Sequence, residues 1–214
     1  MKNKKFDKKM IHGKYINRYL SLHSSEEMQG LKLFPNLKEI QETFSLYENI
    51  FNIITPLDNN INKDNEKIIA FVIGDGVSPR TAGFFSFLTK WSTVSIDPNM
   101  RVEQYLNKIR RCTVVKSTGE DFIKEDINKY LDYFDYYFII LPHSHMRNVH
   151  IFYNVLKDKK VWITNMPCCY PNQCYYLPIN TWLTIKDNNV DSDKNIIHFY
   201  NNYLNNLYEL TSKS

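Results

Sequence analysis

The most constraining stretch of the chain covers residues 67–99, KIIAFVIGDGVSPRTAGFFSFLTKWSTVSIDPN. It begins with a continuous apolar run, residues 67–73, of the kind that forms a parallel strand buried on both faces. A tight turn containing Gly74 and Gly76 follows, then a helical segment, and then a second apolar run that ends at Asp97. This strand–turn–helix–strand unit predicts a parallel sheet with helices packed against it.

The same alternation continues along the rest of the chain. Further strands are predicted at residues 93–96, 112–116, 135–141 and 160–165, and helices at 79–91, 102–111, 122–133 and 144–156. The period then changes, and residues 182–186 and 196–200 predict an antiparallel hairpin around the turn NNVDSDKN. We therefore expect an α/β fold with a doubly wound, mostly parallel Rossmann-like sheet and a C-terminal antiparallel hairpin.

Three parts are predicted along the chain. Residues 1–20 form a basic flexible tail, residues 21–66 a helical extension and linker, and residues 67–214 the Rossmann-like domain. Within the extension, Asn36 is a suitable N-cap, and apolar residues recur after it at helical spacing, which predicts an amphipathic helix packed on the sheet.

Charge and composition limit the function. Residues 1–10 hold five lysines and one aspartate, which accounts for the whole net charge of +4 and leaves a nearly neutral body. The tail could assist weak binding to RNA or be only a solvated end, whereas the body is not that of a phosphate-backbone binder. No apolar run is long enough to span a membrane and no secretory signal is present, so we expect a cytoplasmic location.

The candidate site residues follow the predicted strands, because ligands of open α/β sheets bind beyond the carboxyl ends of the strands. After the first strand come Gly74, Asp75, Gly76 and Arg80; after the second, Asp97; after the third, Glu120 and Asp121; after the fourth, His143 and His145. Gly-x-Gly permits close approach of a ligand to the backbone, and an acid that ends the next strand can bind a ribose diol.

These features together resemble the class I S-adenosylmethionine-dependent methyltransferases over about residues 67–200. The resemblance implies that Gly74 and Gly76 lie against the methionine part of S-adenosylmethionine and that Asp97 binds its ribose. It also implies that Asp121 or Glu120 meets the adenine amino group. The sequence differs from the family pattern at Val72, where an acid is usual, and at Ser78, where a third glycine is usual.

The alternatives for the glycine turn are a catalytically inactive, methyltransferase-like scaffold and an NAD-binding oxidoreductase. Asp75 is atypical between the two glycines. Arg80 could pair with the cofactor carboxylate or only with Asp75.

His143 and His145 are candidate general bases near the methyl acceptor, or two partly exposed imidazoles in a loop.

Cysteines and histidines raise the question of a metal. Cys168, Cys169 and Cys174 lie in a segment rich in proline and tyrosine, and Cys112 lies in a predicted strand. Adjacent cysteines rarely bind one tetrahedral zinc ion and no Cys-x-x-Cys pair exists, so we expect no metal site.

Overall fold

The computed structural model describes residues 13–146, 148–167 and 183–204. Its strands are β1 (Ile68–Ile73), β2 (Ser92–Ile96), β3 (Cys112–Val115), β4 (Tyr136–Pro142), β5 (Lys160–Met166), β6 (Leu183–Lys186) and β7 (Ile196–Asn201). Its helices are α1 (Lys14–Leu20), α2 (Ser25–Gly30), α3 (Leu37–Ile54), α4 (Arg80–Leu88), α5 (Val102–Tyr105), α6 (Gly119–Glu125) and α7 (His150–Leu156). A 3-10 helix at Ile127–Tyr130 follows α6.

The seven strands form one sheet in the order β3-β2-β1-β4-β5-β7-β6. Strands β1 to β5 are parallel, and β7 runs antiparallel to both β5 and β6. The predicted fold class, a mostly parallel sheet with a C-terminal antiparallel hairpin, is confirmed.

Strand β1 lies inside the sheet between β2 and β4, and all of its side chains are apolar and buried. Alternate residues face opposite layers: Ile68, Ala70 and Val72 belong to a core shared with the N-terminal helices and α4. Ile69, Phe71 and Ile73 belong to a second core with α6 and α7. Each fully buried aliphatic or aromatic side chain contributes about 1.5–3 kcal/mol to folding, so both layers are needed to stabilise this strand.

The N-terminal helices cover one face of the sheet. Asn36 caps α3 as predicted, since its side chain accepts a hydrogen bond from the N–H of Glu39 at 3.0 Å. The apolar stripe of α3 packs on the sheet layer through residues such as Phe44 and Ile50, both of which are buried. Helix α1 falls within the range predicted as a flexible tail, and its Tyr15 is buried in the same core; residues 1–12 lie outside the described part of the chain.

A buried carboxylate joins these helices to the C-terminal hairpin. Asp187 follows β6 and accepts hydrogen bonds from the hydroxyls of Tyr15 on α1 and Ser45 on α3, and from the amide of Asn49. Burial alone would raise the pKa of Asp187, but hydrogen bonds from Ser45, Tyr15 and Asn189 lower it below its ordinary value. This cluster, the Asp187 network, fixes the turn of the hairpin against the N-terminal helices.

All four helices predicted between the strands have different bounds in the structure, and α4 ends at Leu88 rather than at residue 91. The prediction of a helix over residues 102–111 is wrong beyond Tyr105, because Leu106 leaves the helical conformation and Asn107 adopts a positive φ of 58°. Helix α6 begins earlier than predicted, since Thr118 caps it by accepting a hydrogen bond from the N–H of Asp121. Helix α7 begins at His150 and not at residue 144, because the preceding residues form a loop across the carboxyl ends of the strands.

No helix in the described ranges is both long and apolar enough to cross a membrane.

Candidate functional site

A cavity of about 520 Å³ lies at the carboxyl ends of β1, β2, β3 and β4. Parallel strands carry their carboxyl ends to one edge of the sheet, which is why residues distant in sequence meet there. Five of the predicted site residues line the cavity: Gly74, Asp97, Glu120, His143 and His145. Asn99, Ser117, Thr118 and Asn148, which were not predicted, also line it.

Asp97 links the second strand to the glycine turn. Its Oδ2 accepts a hydrogen bond from the N–H of Gly76 at 2.9 Å, and its Oδ1 accepts one from the N–H of Asn99 at 2.7 Å. The carboxylate is thereby fixed in the cavity wall with 8% of the residue exposed. Each of its oxygens can accept a further hydrogen bond, so the geometry suits a vicinal diol such as that of ribose.

The two glycines of the turn have positive φ values, 79° at Gly74 and 89° at Gly76. A Cβ on Gly74 would lie only 2.9 Å from the Cα of Ser144, in the loop after β4. In the same way, a Cβ on Gly119 would lie 2.7 Å from the sulfur of Met146. Gly74 and Gly119 therefore admit Ser144 and Met146, in the loop after β4, close against the strand ends.

Asp75, predicted to contact a cofactor, is not among the residues that line the cavity. It is fully buried, and its carboxylate accepts hydrogen bonds from the N–H groups of Thr81 and Ala82 and from the hydroxyl of Ser95. Burial raises the pKa of Asp75, and the charge of Arg80 and these donors oppose the rise. Its role in the structure is to hold the first turn of α4 against β2.

The two carboxylates of the acidic turn after β3 have different surroundings. Glu120 lines the cavity, whereas Asp121 is exposed and directed to the N-cap residue of α6. The hydroxyl of Thr118 donates a hydrogen bond to the carboxylate of Asp121 at 2.7 Å. Of the two alternatives predicted for an adenine amino group, Glu120 is the one placed at the cavity.

His143 is paired with a carboxylate from the N-terminal helices. Its Nε2 lies 2.9 Å from Oε2 of Glu42 on α3, with the two side chains 12% and 3% exposed. Both ring nitrogens are buried, although the imidazole lines the cavity. The backbone of His143 has a positive φ of 57°, which is uncommon for a residue other than glycine and is concentrated at functional sites.

Glu42 is held from several sides. Its Oε1 accepts a hydrogen bond from the hydroxyl of Ser192 at 2.9 Å and lies 3.5 Å from Nζ of Lys38. Burial alone would raise the pKa of Glu42, but the hydrogen bond and charge of His143, with Ser192 and Lys38, lower it below its ordinary value. Glu42 was not predicted as a site residue, since an acid on an amphipathic helix usually faces solvent.

His145 is exposed and lines the same cavity. The loop that carries it is stabilised by a hydrogen bond from the N–H of Met146 to the hydroxyl of Ser144 at 3.2 Å. Of the two predicted bases, His145 is thus the one with an accessible side chain.

The charge of the cavity wall is negative among the described residues. Asp97 and Glu120 line it, and no lysine or arginine of the described ranges does so. A wall of this kind favours a positively charged group on the ligand and disfavours the two negative charges of a dinucleotide pyrophosphate.

Arg80, the remaining predicted residue, lies beside the cavity without lining it. It is the first residue of α4, and its guanidinium packs over Gly76. Its Nε forms an ion pair with Glu39 of α3 at 3.2 Å.

Metal binding finds no support in the described ranges. No group of three His, Cys, Asp or Glu side chains there could hold a metal ion. Cys112 is buried, and burial raises its pKa to about 12, so its thiol is not a reactive group. Cys168, Cys169 and Cys174 lie outside the described residues.

Comparison with known proteins gives similarity in structure only. No protein-family model and no curated protein matches the sequence. A mutant of MtNAS in complex with S-adenosylmethionine matches over 86% of this chain and 68% of its own, with 12% identity and a TM-score of 0.49.

Two further structures match less of the chain. A 16S rRNA (adenine(1408)-N(1))-methyltransferase from Catenulisporales acidiphilia shares 15% identity over 63% of this chain and 85% of its own, with a TM-score of 0.37. A cyclopropane-fatty-acyl-phospholipid synthase-like protein from Lactobacillus casei shares 13% identity over 66% of this chain and 56% of its own, with a TM-score of 0.39. Similarity at this level does not assign an activity, so the function is inferred below from the residues of the site.

Proposed function

We propose that the chain binds S-adenosylmethionine in this cavity and transfers its methyl group to an acceptor. The observation that carries the proposal is the position of Asp97 in the cavity wall, fixed by the N–H groups of Gly76 and Asn99. A carboxylate held in this way at the end of the second strand can accept a hydrogen bond from each of the two hydroxyls of a ribose. Glu120, which lines the neighbouring wall, would accept a hydrogen bond from the adenine amino group.

The charge of the wall favours this ligand over a dinucleotide. S-adenosylmethionine carries a sulfonium and an ammonium, and the described wall offers the two carboxylates of Asp97 and Glu120. NAD would place a pyrophosphate at the glycine turn, where the third glycine of a dinucleotide site is replaced by Ser78. Arg80, beside Gly76, is available to the single carboxylate at the amino-acid end of S-adenosylmethionine.

The chain's own part in the reaction is to orient the acceptor and take up its proton. The bound sulfonium supplies an already reactive methyl group, so alignment of donor and acceptor supplies most of the remaining rate enhancement. His145 is exposed at the cavity and could receive a proton from the acceptor near neutral pH. His143, with its nitrogens buried against Glu42, shapes the wall on the acceptor side.

RNA is the acceptor that the charge distribution of the chain favours. The five lysines among residues 1–10 could attract a polyanion, while the described cavity wall is itself acidic. An RNA acceptor would therefore contact the protein outside the cavity and insert only the reacting group.

The test begins with ligand binding, measured by calorimetry with S-adenosylmethionine, S-adenosylhomocysteine, NAD and NADP. We expect the two adenosyl compounds to bind and the two dinucleotides not to bind. Asp97→Ala should weaken the binding of both adenosyl compounds about tenfold or more, since hydrogen bonds to a charged group contribute about 1.5–3 kcal/mol. Glu120→Ala should weaken them less, and Asp121→Ala, which alters an exposed carboxylate, is the matched control.

Activity is measured with labelled S-adenosylmethionine and pools of RNA, protein and small molecules. Release of S-adenosylhomocysteine would support methyl transfer, whereas release of methylthioadenosine would show transfer of the aminocarboxypropyl group instead. Binding without either product would favour the inactive, scaffold-like alternative. Binding that is unaffected by Asp97→Ala would refute the placement of the ribose.

A further inference from the structure

The guanidinium of Arg80 is held at the outer side of the glycine turn. The position that a Cβ on Gly76 would occupy lies 3.1 Å from its Nη1 and 3.5 Å from its Cζ. Gly76 in turn donates its N–H to Asp97, which lines the cavity. Gly76 therefore lies between the carboxylate of Asp97 and the guanidinium of Arg80.

Helix α3 holds this guanidinium by its Nε. Oε2 of Glu39 lies 3.2 Å from Nε, and the two side chains are 18% and 15% exposed. Glu39 is itself fixed, because Asn36 caps the helix through the N–H of Glu39. Partial burial restricts both side chains, so the pair sets the direction in which the guanidinium points.

The pairing through Nε leaves the opposite end of the guanidinium for another partner. Neither Nη1 nor Nη2 takes part in a hydrogen bond with a residue of the described ranges, and neither is a buried, unsatisfied atom there. The two Nη groups of an arginine form a planar fork that matches a carboxylate. Asp75, the other acid nearby, is fully buried and accepts its hydrogen bonds from α4 and Ser95, so the charge of Arg80 acts on it without a hydrogen bond to the fork.

We infer that Glu39 is a positioning residue that orients Arg80 to select ligands bearing a free α-carboxylate. The inference rests on the proposed function, because the carboxylate in question is the one at the amino-acid end of S-adenosylmethionine. It assigns to α3, which lies outside the strand–turn–helix–strand unit, a part in ligand selection. Without Glu39 the guanidinium would have to be ordered by the ligand itself, at a cost in affinity.

The test compares two ligands that differ only in the carboxylate. S-adenosylmethionine and decarboxylated S-adenosylmethionine share the adenosine, the sulfonium and the amine, and the Kd of each is measured by calorimetry. The quantity compared is the ratio of the Kd of decarboxylated S-adenosylmethionine to the Kd of S-adenosylmethionine. We expect this ratio to be at least ten for the wild-type protein and near one for Arg80→Gln. Glu39→Ala should lower the wild-type ratio about threefold to tenfold, because an unrestrained side chain must be ordered on binding.

Two variants separate positioning from general damage to the helix. Glu39→Gln retains an oxygen within reach of the Nε of Arg80, so it should keep the wild-type ratio of the two Kd values within about twofold. Glu48→Gln removes another carboxylate of α3, one that pairs with Lys14 and Arg18 away from the cavity, and it should leave the ratio unchanged. Thermal unfolding of each variant checks that it is folded.

The outcomes distinguish this inference from the proposed function. If the wild-type protein binds neither ligand, the proposed function itself fails. If it binds both equally well, S-adenosylmethionine binding stands and carboxylate selection by Arg80 is refuted, whether or not Glu39→Ala folds. If Arg80→Gln loses the preference while folded Glu39→Ala keeps it, Arg80 selects the carboxylate unaided and the role of Glu39 is refuted.

Discussion

Replacement of Gly74 by alanine should both destabilise the protein and deform the site. The residue has a φ of 79°, which a side chain makes unfavourable by about 1–2 kcal/mol. Its new Cβ would also lie 2.9 Å from the Cα of Ser144, whereas carbon atoms in contact prefer about 3.5–4.0 Å. Since the neighbour is backbone, the loop must move by about 0.5 Å or more, and forced overpacking costs about 1–3 kcal/mol.

The sum predicts that Gly74→Ala lowers the free energy of unfolding by about 2–5 kcal/mol, a large part of a typical total of about 5–15 kcal/mol. Urea unfolding followed by circular dichroism measures this directly. The melting temperature should fall by about 4–20 °C for a chain of this size. Because Ser144 borders the cavity, the affinity for S-adenosylmethionine should fall as well.

Two other glycines serve as controls. A Cβ on Gly76, with a φ of 89°, would meet only the flexible end of Arg80 at 3.1 Å, so Gly76→Ala isolates the backbone strain from the clash. A Cβ on Gly30 would have nothing within 4 Å, and Gly30→Ala should be neutral or slightly stabilising. If Gly74→Ala unfolds within about 0.5 kcal/mol of the wild type, the close approach of the loop to the turn is not a feature of the folded protein.

The remaining predictions concern two buried carboxylates, those of Asp187 and Glu42. The pKa of Asp187 is lowered in the folded state, so its contribution to stability is complete above its unfolded pKa of about 3.9 and is lost as the pH falls through the lower folded value. The free energy of unfolding of the wild-type protein, measured from pH 6 to pH 2.5, should therefore decline below about pH 4. Asp187→Asn should lower the free energy of unfolding at pH 7 and make this decline shallower. An equally steep decline in the variant would assign the acid sensitivity to other groups. Glu42→Ala removes the buried carboxylate that pairs with His143 and should cost about 1–3 kcal/mol at pH 7. Lys38→Ala, which alters a half-exposed partner of the same carboxylate, should cost less than about 1 kcal/mol. Equal losses in the two variants, measured by urea unfolding, would contradict the importance of the buried histidine contact.

The sequence predicts the sheet better than it predicts the helices. Continuous apolar runs such as residues 68–73 can be buried on both faces only in a central parallel strand, so β1 and β4 are found where expected. Helix boundaries depend more on tertiary contacts. Residues 144–149 have a pattern compatible with a helix, but Gly74 and Gly119 provide space into which Ser144 and Met146 pack as a loop.

The residues of the candidate site also differ in how well the sequence predicts them. The topology alone brings Asp97, Glu120 and His145 to one edge, because each follows a parallel strand. The direction of a side chain is not contained in that pattern: Asp75 lies in the glycine turn, yet the first amides of α4 and Ser95 hold it below the surface. Glu42 could not be recognised from the sequence, since only the packing of α3 on the sheet brings its carboxylate to His143.

The Asp187 network has a consequence for how the chain is made. The hydroxyl of Tyr15 reaches a partner 172 residues away, and that of Ser45 one 142 residues away. During synthesis, helices α1 and α3 therefore cannot form these contacts until the hairpin of β6 and β7 has left the ribosome. Until then the apolar face of α3 is incompletely covered. Contacts of such long sequence separation form slowly. The nascent protein should thus depend on chaperones that shield apolar helices.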